Sequence, residues 1–430
     1  MGNISYFCIV KRFGSFLRYN ALIIFLLLTF CGRMSASQDS VLLQKMDSVD
    51  ISLLTCQPRQ KIYSLYGHTA IRIEDRSTGN DWAVNYGLFS FDKPFFVLRF
   101  VFGLTDYEMG IERFSDFRRE YERDGCGVWQ QVISLSREDK LAIMEAIDTN
   151  YRPENRVYRY NYFYDNCTTR ARDIIIRCIS GDVVYGNYNN GGKATFRSLT
   201  HIYNVEHPWA RFGNDLLLGV KADMSIKSGQ EQFLPLILSK ELDSATVKTG
   251  DGSSHPLVTR AFWAIEPEVQ SVGENFPLSP RDCMAIIAAV TLLFCLVDLK
   301  RGRISWGYDA TMMLLTGLAG LILLAMVFSQ HPTVSLNLQI LLLNPLALAF
   351  LYPAMHHLRK GQRSLWLTIW LIFICLFLAG SIFQHYAEGM WLLASSLLTR
   401  DVCILHIIRK REAESHNADA AAIKNQRKTT

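Results

Sequence analysis

Two short runs hold residue types that can do covalent chemistry together. The first is YGHTAIRIED, residues 66–75, with His68; the second is YNYFYDNCTTRARDIII, residues 160–176, with Cys167. A neutral imidazole can take a thiol's proton and later return it to a leaving group, so the pair suits nucleophilic acyl transfer. In the second run Cys167, Ala171, Ile174, Ile175 and Cys178 recur on one face of an α-helix. Asp165 or Asn166 suits the N-cap, and Gly181 the stop. Cys167 is then expected in the first helical turn, where unpaired N–H groups and roughly half a positive charge favour thiolate over thiol. The same N–H groups can hold the oxygen of a tetrahedral intermediate. The plainer reading is that Cys167 packs inward from its helix, as a free cysteine usually does. Cys178 shares that face at the far end and reads as packing.

The residues around His68 alternate in polarity as in a half-buried strand. RSTGN (76–80) is a turn, and DWAVNYGLFSF (81–91) a second strand, so His68 and Asn85 both project from a hairpin. Asn85 is a candidate to orient the imidazole, as a side-chain amide does in papain-like sites. A turn centred between Thr78 and Gly79 pairs His68 with Phe89 and Asn85 with Arg72, roughly 13 Å apart at about 3.3 Å per residue. An earlier turn, near Arg76–Ser77, brings them opposite; Asp81 is the fallback. GCGVWQQVISLS (125–136) reads as a strand, SREDKLAIMEAIDTNY (136–151) as a helix capped by Ser136, and RVYRYNYFYDN (156–166) as a strand. PFFVLRFVFG (94–103) reads either as a core element or as a surface that touches lipid chains.

The chain has 430 residues, a net charge of +5 and 49% hydrophobic residues. Basic residues are spread out, with one dense run at the C-terminus, so no nucleic-acid partner is expected. Lys11, Arg12 and Arg18 precede an apolar run, Ala21 to Phe30, and the small residues Ser35-Ala36-Ser37, the pattern of a signal peptide over 1–37. Apolar runs near 284–299, 308–328, 335–355, 365–383 and 389–408 predict five membrane spans. The last contains Arg400 and Asp401, which must be matched to each other or to a bundle interior. KRGRISWGYD, HHLRKGQRS and the C-terminal tail are basic, whereas SQHPTVS and QHYAEG carry no Lys or Arg. That alternation places the region before Met284 outside the cytoplasm, as the signal peptide does. The expected parts are an exported domain over 38–280, spans over 281–410 and a basic cytoplasmic tail over 411–430. Four cysteines fall in the exported part, Cys56, Cys126, Cys167 and Cys178, with no zinc-like spacing, so no metal is expected. A Cys56–Cys126 disulfide is open in an oxidising compartment.

A strand histidine, a second polar strand residue and then Asn-Cys opening a helix resembles the order of circularly permuted papain-like folds. NlpC/P60 proteins and the relatives of lecithin:retinol acyltransferase share it. More closely, LLTCQP…IYSLYGHTAIRI, VNYGLFSF, TDYEMG and PENRVYRYNYFYDNCTTRARDII, with the membrane helices that follow, resemble the Lnb-type lipoprotein N-acyltransferase family over almost the whole mature chain. The resemblance implies an α+β, circularly permuted papain-like domain followed by an α-helical transmembrane bundle. It implies a multi-pass protein of the bacterial inner membrane with a periplasmic catalytic domain. The implied reaction moves a fatty acyl chain from a membrane phospholipid, through a Cys167 thioester, to the α-amine of an S-diacylglyceryl cysteine on a lipoprotein. His68 would be base and then acid, Asn85 its partner, and no cofactor is needed. Tyr66 and Asn166 are candidates to line the site, and Arg170 to meet a lipid phosphate or to form a structural salt bridge. The alternative is a membrane-tethered cysteine amidase or peptidase acting on the cell wall. A third class, a receptor or scaffold, leaves Cys167 and His68 too far apart for proton transfer.

Overall fold

The computed structural model describes residues 40–59, 64–89, 94–186, 193–268 and 276–429. The expected signal peptide lies outside them. Strands β1 (Val49–Cys56), β2 (His68–Asp75), β3 (Asn80–Leu88), β4 (Asp106–Arg113), β5 (Val128–Ile133) and β6 (Val157–Arg159) are followed by three short strands. These are β7 (Asp182–Val184), β8 (Thr246–Lys248) and β9 (Ser254–Pro256), which form a small sheet of their own. A last strand, β10 (Val258–Ile265), returns to the main sheet, whose order is β10-β5-β1-β2-β3-β4-β6 and whose pairings are all antiparallel.

The helices of this domain are α1 (Phe96–Val101), α2 (Phe114–Arg123), α3 (Arg137–Tyr151), α4 (Cys167–Arg177), α5 (Phe196–His201), α6 (Pro208–Leu217) and α7 (Pro235–Asp243). Strand alternation sorts the core into two layers. Leu53, Ile71 and Val84 pack with Ile143 of α3 and Ala171 and Ile175 of α4. Leu54, Ala70 and Ala83 face the other way, against Phe114, Phe117 and Tyr121 of α2. Both faces are therefore covered, with α4 on one and α2 on the other. The strand expected over 156–166 is shorter. Pairing with β4 stops at Arg159, and a tight bend closed by an Asn161–Asp165 bridge delivers the chain to α4. Cys56 and Cys126 are both buried and not joined to each other, so the disulfide that spacing left open is not formed.

Each of the five apolar runs is helical. They are α8 (Pro280–Arg301), α9 (Trp306–Val327), a segment Leu338–Arg359 that ends in α10 (Leu346–Arg359), α11 (Leu365–Gly380) and α12 (Met390–Thr429). Four are long and apolar enough to cross a membrane; α11 has only 16 residues. At about 1.5 Å per residue it spans about 24 Å, short of a roughly 30 Å hydrocarbon core. Among the described helices the short run is thus the fourth. Helix α12 continues through the residues of the expected tail. Arg400 of α12 is matched to the bundle interior. Its guanidinium donates to Asp309 of α9 at 2.7 and 2.8 Å and pairs with Asp298 of α8 at 2.8 Å, tying three helices together.

The two domains share a core. Met326 and Val334, from the end of α9 and the loop after it, pack with Phe163, Phe196, Phe233 and Leu234. Side-chain amides of Asn337, Gln339 and Gln384 donate to the carbonyls of Leu216, Asp215 and Leu218. Arg197, buried on α5, binds both Asp215 and Asp223, and Asp223 accepts from the His385 backbone N–H.

Candidate active site

Cys167 is the first residue of α4 and Asn166 is its N-cap. The Asn166 Oδ1 accepts from the Thr168 and Thr169 backbone N–H groups, both at 2.9 Å. Its Nδ2 donates to the carbonyls of Tyr162 and Phe233. The expected helix start is therefore built by Asn166, with Asp165 left free to pair with Arg170. That pair is bidentate, at 2.6 and 2.8 Å, and the guanidinium lies 3.4 Å above the Tyr158 ring.

His68 opens β2 directly after Gly67, whose φ of +79° suits only glycine without strain. A Cβ there would meet the Cys56 carbonyl at 2.6 Å, so the turn into the strand also needs the space. The β2–β3 register pairs Ala70 with Asn85 and Asp75 with Asn80. The turn is thus centred between Ser77 and Thr78, one residue earlier than the symmetric expectation. Asp75 sets it by accepting from the Ser77 N–H, the Ser77 hydroxyl and the Thr78 hydroxyl. Asn85 sits diagonally from His68 on one sheet face, within reach of long side chains. The His68 Nε2 to Asn85 Oδ1 distance is 3.0 Å. Asp81 plays no part there: it pairs with Arg72.

The thiol of Cys167 and the imidazole of His68 face each other where β2 begins, next to a 3.1 Å hydrogen bond from the Thr69 hydroxyl to the Thr168 hydroxyl that joins β2 to α4. Gly87, at φ +85°, adjoins them; a Cβ there would lie 3.8 Å from the Cys167 Cβ. Burial pushes the Cys167 thiol's pKa up. The facing His68, the Thr69 backbone N–H and the Thr168 hydroxyl outweigh it, leaving the pKa below that of an ordinary thiol. For His68 burial acts downward, but the facing Cys167 and the bond to Asn85 prevail and raise its pKa. The two shifts favour a thiolate–imidazolium pair. Cys56 is the counter-example in the same domain: burial pushes its thiol up to about 12.

One residue of the site had no signal in the sequence. Glu112, on β4, accepts from the Asn85 Nδ2 at 2.8 Å. That bond fixes which end of the amide faces the imidazole, and Glu112 comes close only through β3–β4 pairing, 27 residues away. Tyr66 lies apart from this relay, its hydroxyl bonded to Asn214 and Asn204. Its ring meets Tyr162 at 5.1 Å. Tyr162 in turn contacts Phe233 at 5.6 Å, within the cluster that includes Met326 and Val334. Aromatic side chains thus lead from the neighbourhood of Cys167 to the membrane helices. The wide separation expected of a receptor or scaffold is not what the structure has. Among the described residues no cluster of His, Cys, Asp or Glu could hold a metal ion.

Two family models match the chain. One, described as the Lnb N-terminal periplasmic domain, covers residues 43–200; the other, the Lnb transmembrane domain, covers 271–412. Neither a curated protein nor a solved structure matches it.

Proposed function

On the premise that the chain belongs to the Lnb family, a membrane protein with a periplasmic domain, we propose that it is a cysteine-dependent lipoprotein N-acyltransferase. The observation that carries the reading is Cys167 and His68 facing each other where α4 meets β2, with His68 braced by Asn85 and Glu112, at one end of an aromatic path to the membrane helices.

In the first half-reaction the Cys167 sulfur attacks the ester carbonyl of a membrane phospholipid. The thiol proton resides on His68, which gives it to the departing lysophospholipid oxygen as the C–O bond breaks. In the second, the neutral α-amine of an S-diacylglyceryl cysteine attacks the thioester. His68 takes the amine proton, the C–S bond breaks, and an amide and the free thiol remain. Asn166 consumes the Thr168 and Thr169 N–H groups. The Cys167 backbone N–H is therefore the first-turn donor assigned to the oxyanion. Asn85 holds the ring of His68 and acts as a positioning residue, and Glu112 holds Asn85. Arg170 steadies the bend before α4 through Asp165. Tyr66 and Asn166 shape the wall and the helix start.

A cell-wall amidase would use the same thiol, but it has no use for an apolar route to the bilayer. Mass spectrometry of lipoprotein N-termini made with and without the chain tests the proposal. One additional amide-linked acyl chain is expected when the chain is present, and an unchanged acyl count overturns it.

A further inference from the structure

Helix α1 turns an apolar face outward at a height that the rest of the fold fixes. Phe95, Leu98 and Phe100 are 76%, 56% and 47% exposed. Phe95 is also held at φ +56°, a costly conformation for a bulky residue. The segment's cation does not interrupt this face: Arg99 folds back to donate to the Leu104 carbonyl and to Asp106. In a soluble domain, large apolar side chains grouped this way are costly unless something covers them.

Their position says what does. The carbonyl of Phe102, just past α1, accepts from the Gln330 backbone N–H at 3.0 Å. Arg159 donates to the Gln330 side chain and to the Gly103 carbonyl. Gly103 is packed so closely that a Cβ would sit 3.2 Å from the Gln330 and His331 nitrogens. Gln330 stands three residues beyond Val327, where span α9 ends on the periplasmic side. Phe328, between them, is 72% exposed and continues the outward apolar surface of α9. The inward residue Val101 packs on the aromatic cluster that holds Tyr66 and Tyr162. One end of the path from the site therefore lies under α1.

We propose that α1 is an interfacial helix: Phe95, Leu98 and Phe100 insert among the lipids of the periplasmic-side leaflet, beside the end of α9. Amphipathic elements bind an interface by burying such a face at the boundary between headgroups and acyl chains. Resting on the acyltransferase reading for its purpose, this gives the site lateral access to a donor lipid without extracting it into water.

The full-length protein is placed in vesicles of phosphatidylethanolamine and phosphatidylglycerol, a fraction carrying an acyl-chain diazirine. Photolysis is expected to label residues 95–100 as well as the spans. Labelling confined to the spans overturns the proposal, and so does a cross-link from this segment to a second copy of the chain. The triple variant Phe95→Ser, Leu98→Ser, Phe100→Ser is expected to acylate Cys167 at least about tenfold more slowly from vesicles. From a water-soluble short-chain ester it is expected to match the wild type, which also shows that it folds. Equal rates from vesicles overturn the proposal. If wild-type Cys167 takes no acyl group from either donor, the acyltransferase reading falls, while the photolabelling still decides the placement of α1.

Discussion

Cys167 and Cys178 stand at opposite ends of one helix, and their thiols are pushed in opposite directions. Cys178 is the C-cap of α4; burial and the nearby Asp139 raise its pKa, with Arg177 opposing. Cys167 is half-buried as well, yet its pKa is lowered, because His68, the Thr69 N–H and the Thr168 hydroxyl converge on it. Burial alone makes a cysteine inert. The helix's polarity contributes at both ends, toward thiolate at the start and away from it at the finish. What separates the two is the set of groups that strand β2 and the helix's own Thr168 bring to the first turn.

The largest test of that contrast is deletion. Cys167→Ala should reduce acyl transfer to background while the protein still inserts and folds, and Cys178→Ser should keep wild-type turnover in the same assay. Next comes His68→Gln. It should slow acyl-thioester formation by about a hundredfold to ten-thousandfold, the range of a lost general base. It should also move the pH midpoint of Cys167 alkylation upward, since the lowering influence of His68 goes and burial remains. The midpoint for Cys178 should stay where it is. Asn85→Ala should cost up to about a hundredfold in rate through a mispositioned imidazole. Glu112→Ala should cost about tenfold or less, and Glu112→Gln, which keeps an acceptor for the Asn85 amide, should recover most of it. Smallest is Asn166→Ala. Thermal melting should show a loss of about 1–2 kcal/mol for the cap.

Much of this contrast was legible in the sequence, because helix phase and capping are local. The spacing of Cys167, Ala171, Ile175 and Cys178 and the Asn166 cap are readable from a short window, and the structure has them there. The strand character of His68 and Asn85 was equally plain. Their proximity was not. It depends on where the hairpin turns, and that is settled by Asp75 capping Ser77 and Thr78, a choice that alternation does not encode. Glu112 was out of reach because it belongs to a third strand, brought in by pairing. For the same reason the membrane sequence showed Arg400 and Asp401 but not that Arg400 pairs with Asp298 and Asp309 on two other helices. The exported segment 94–103 could be read two ways, and only its exposure separates them.

The shared core between the domains has a kinetic consequence. Asn337, Gln339 and Gln384 grip the backbone at 215–218, and Met326 and Val334 are built into the wall that holds Phe163 and Phe233. Cys167 is therefore carried at a set elevation over the bilayer, with no tether to search through solution. In the proposed reaction both reactants reside in the same sheet of lipid and would meet it by sliding in a plane. Turnover should then follow their mole fraction in the membrane, and diluting the vesicles with buffer should leave it unchanged.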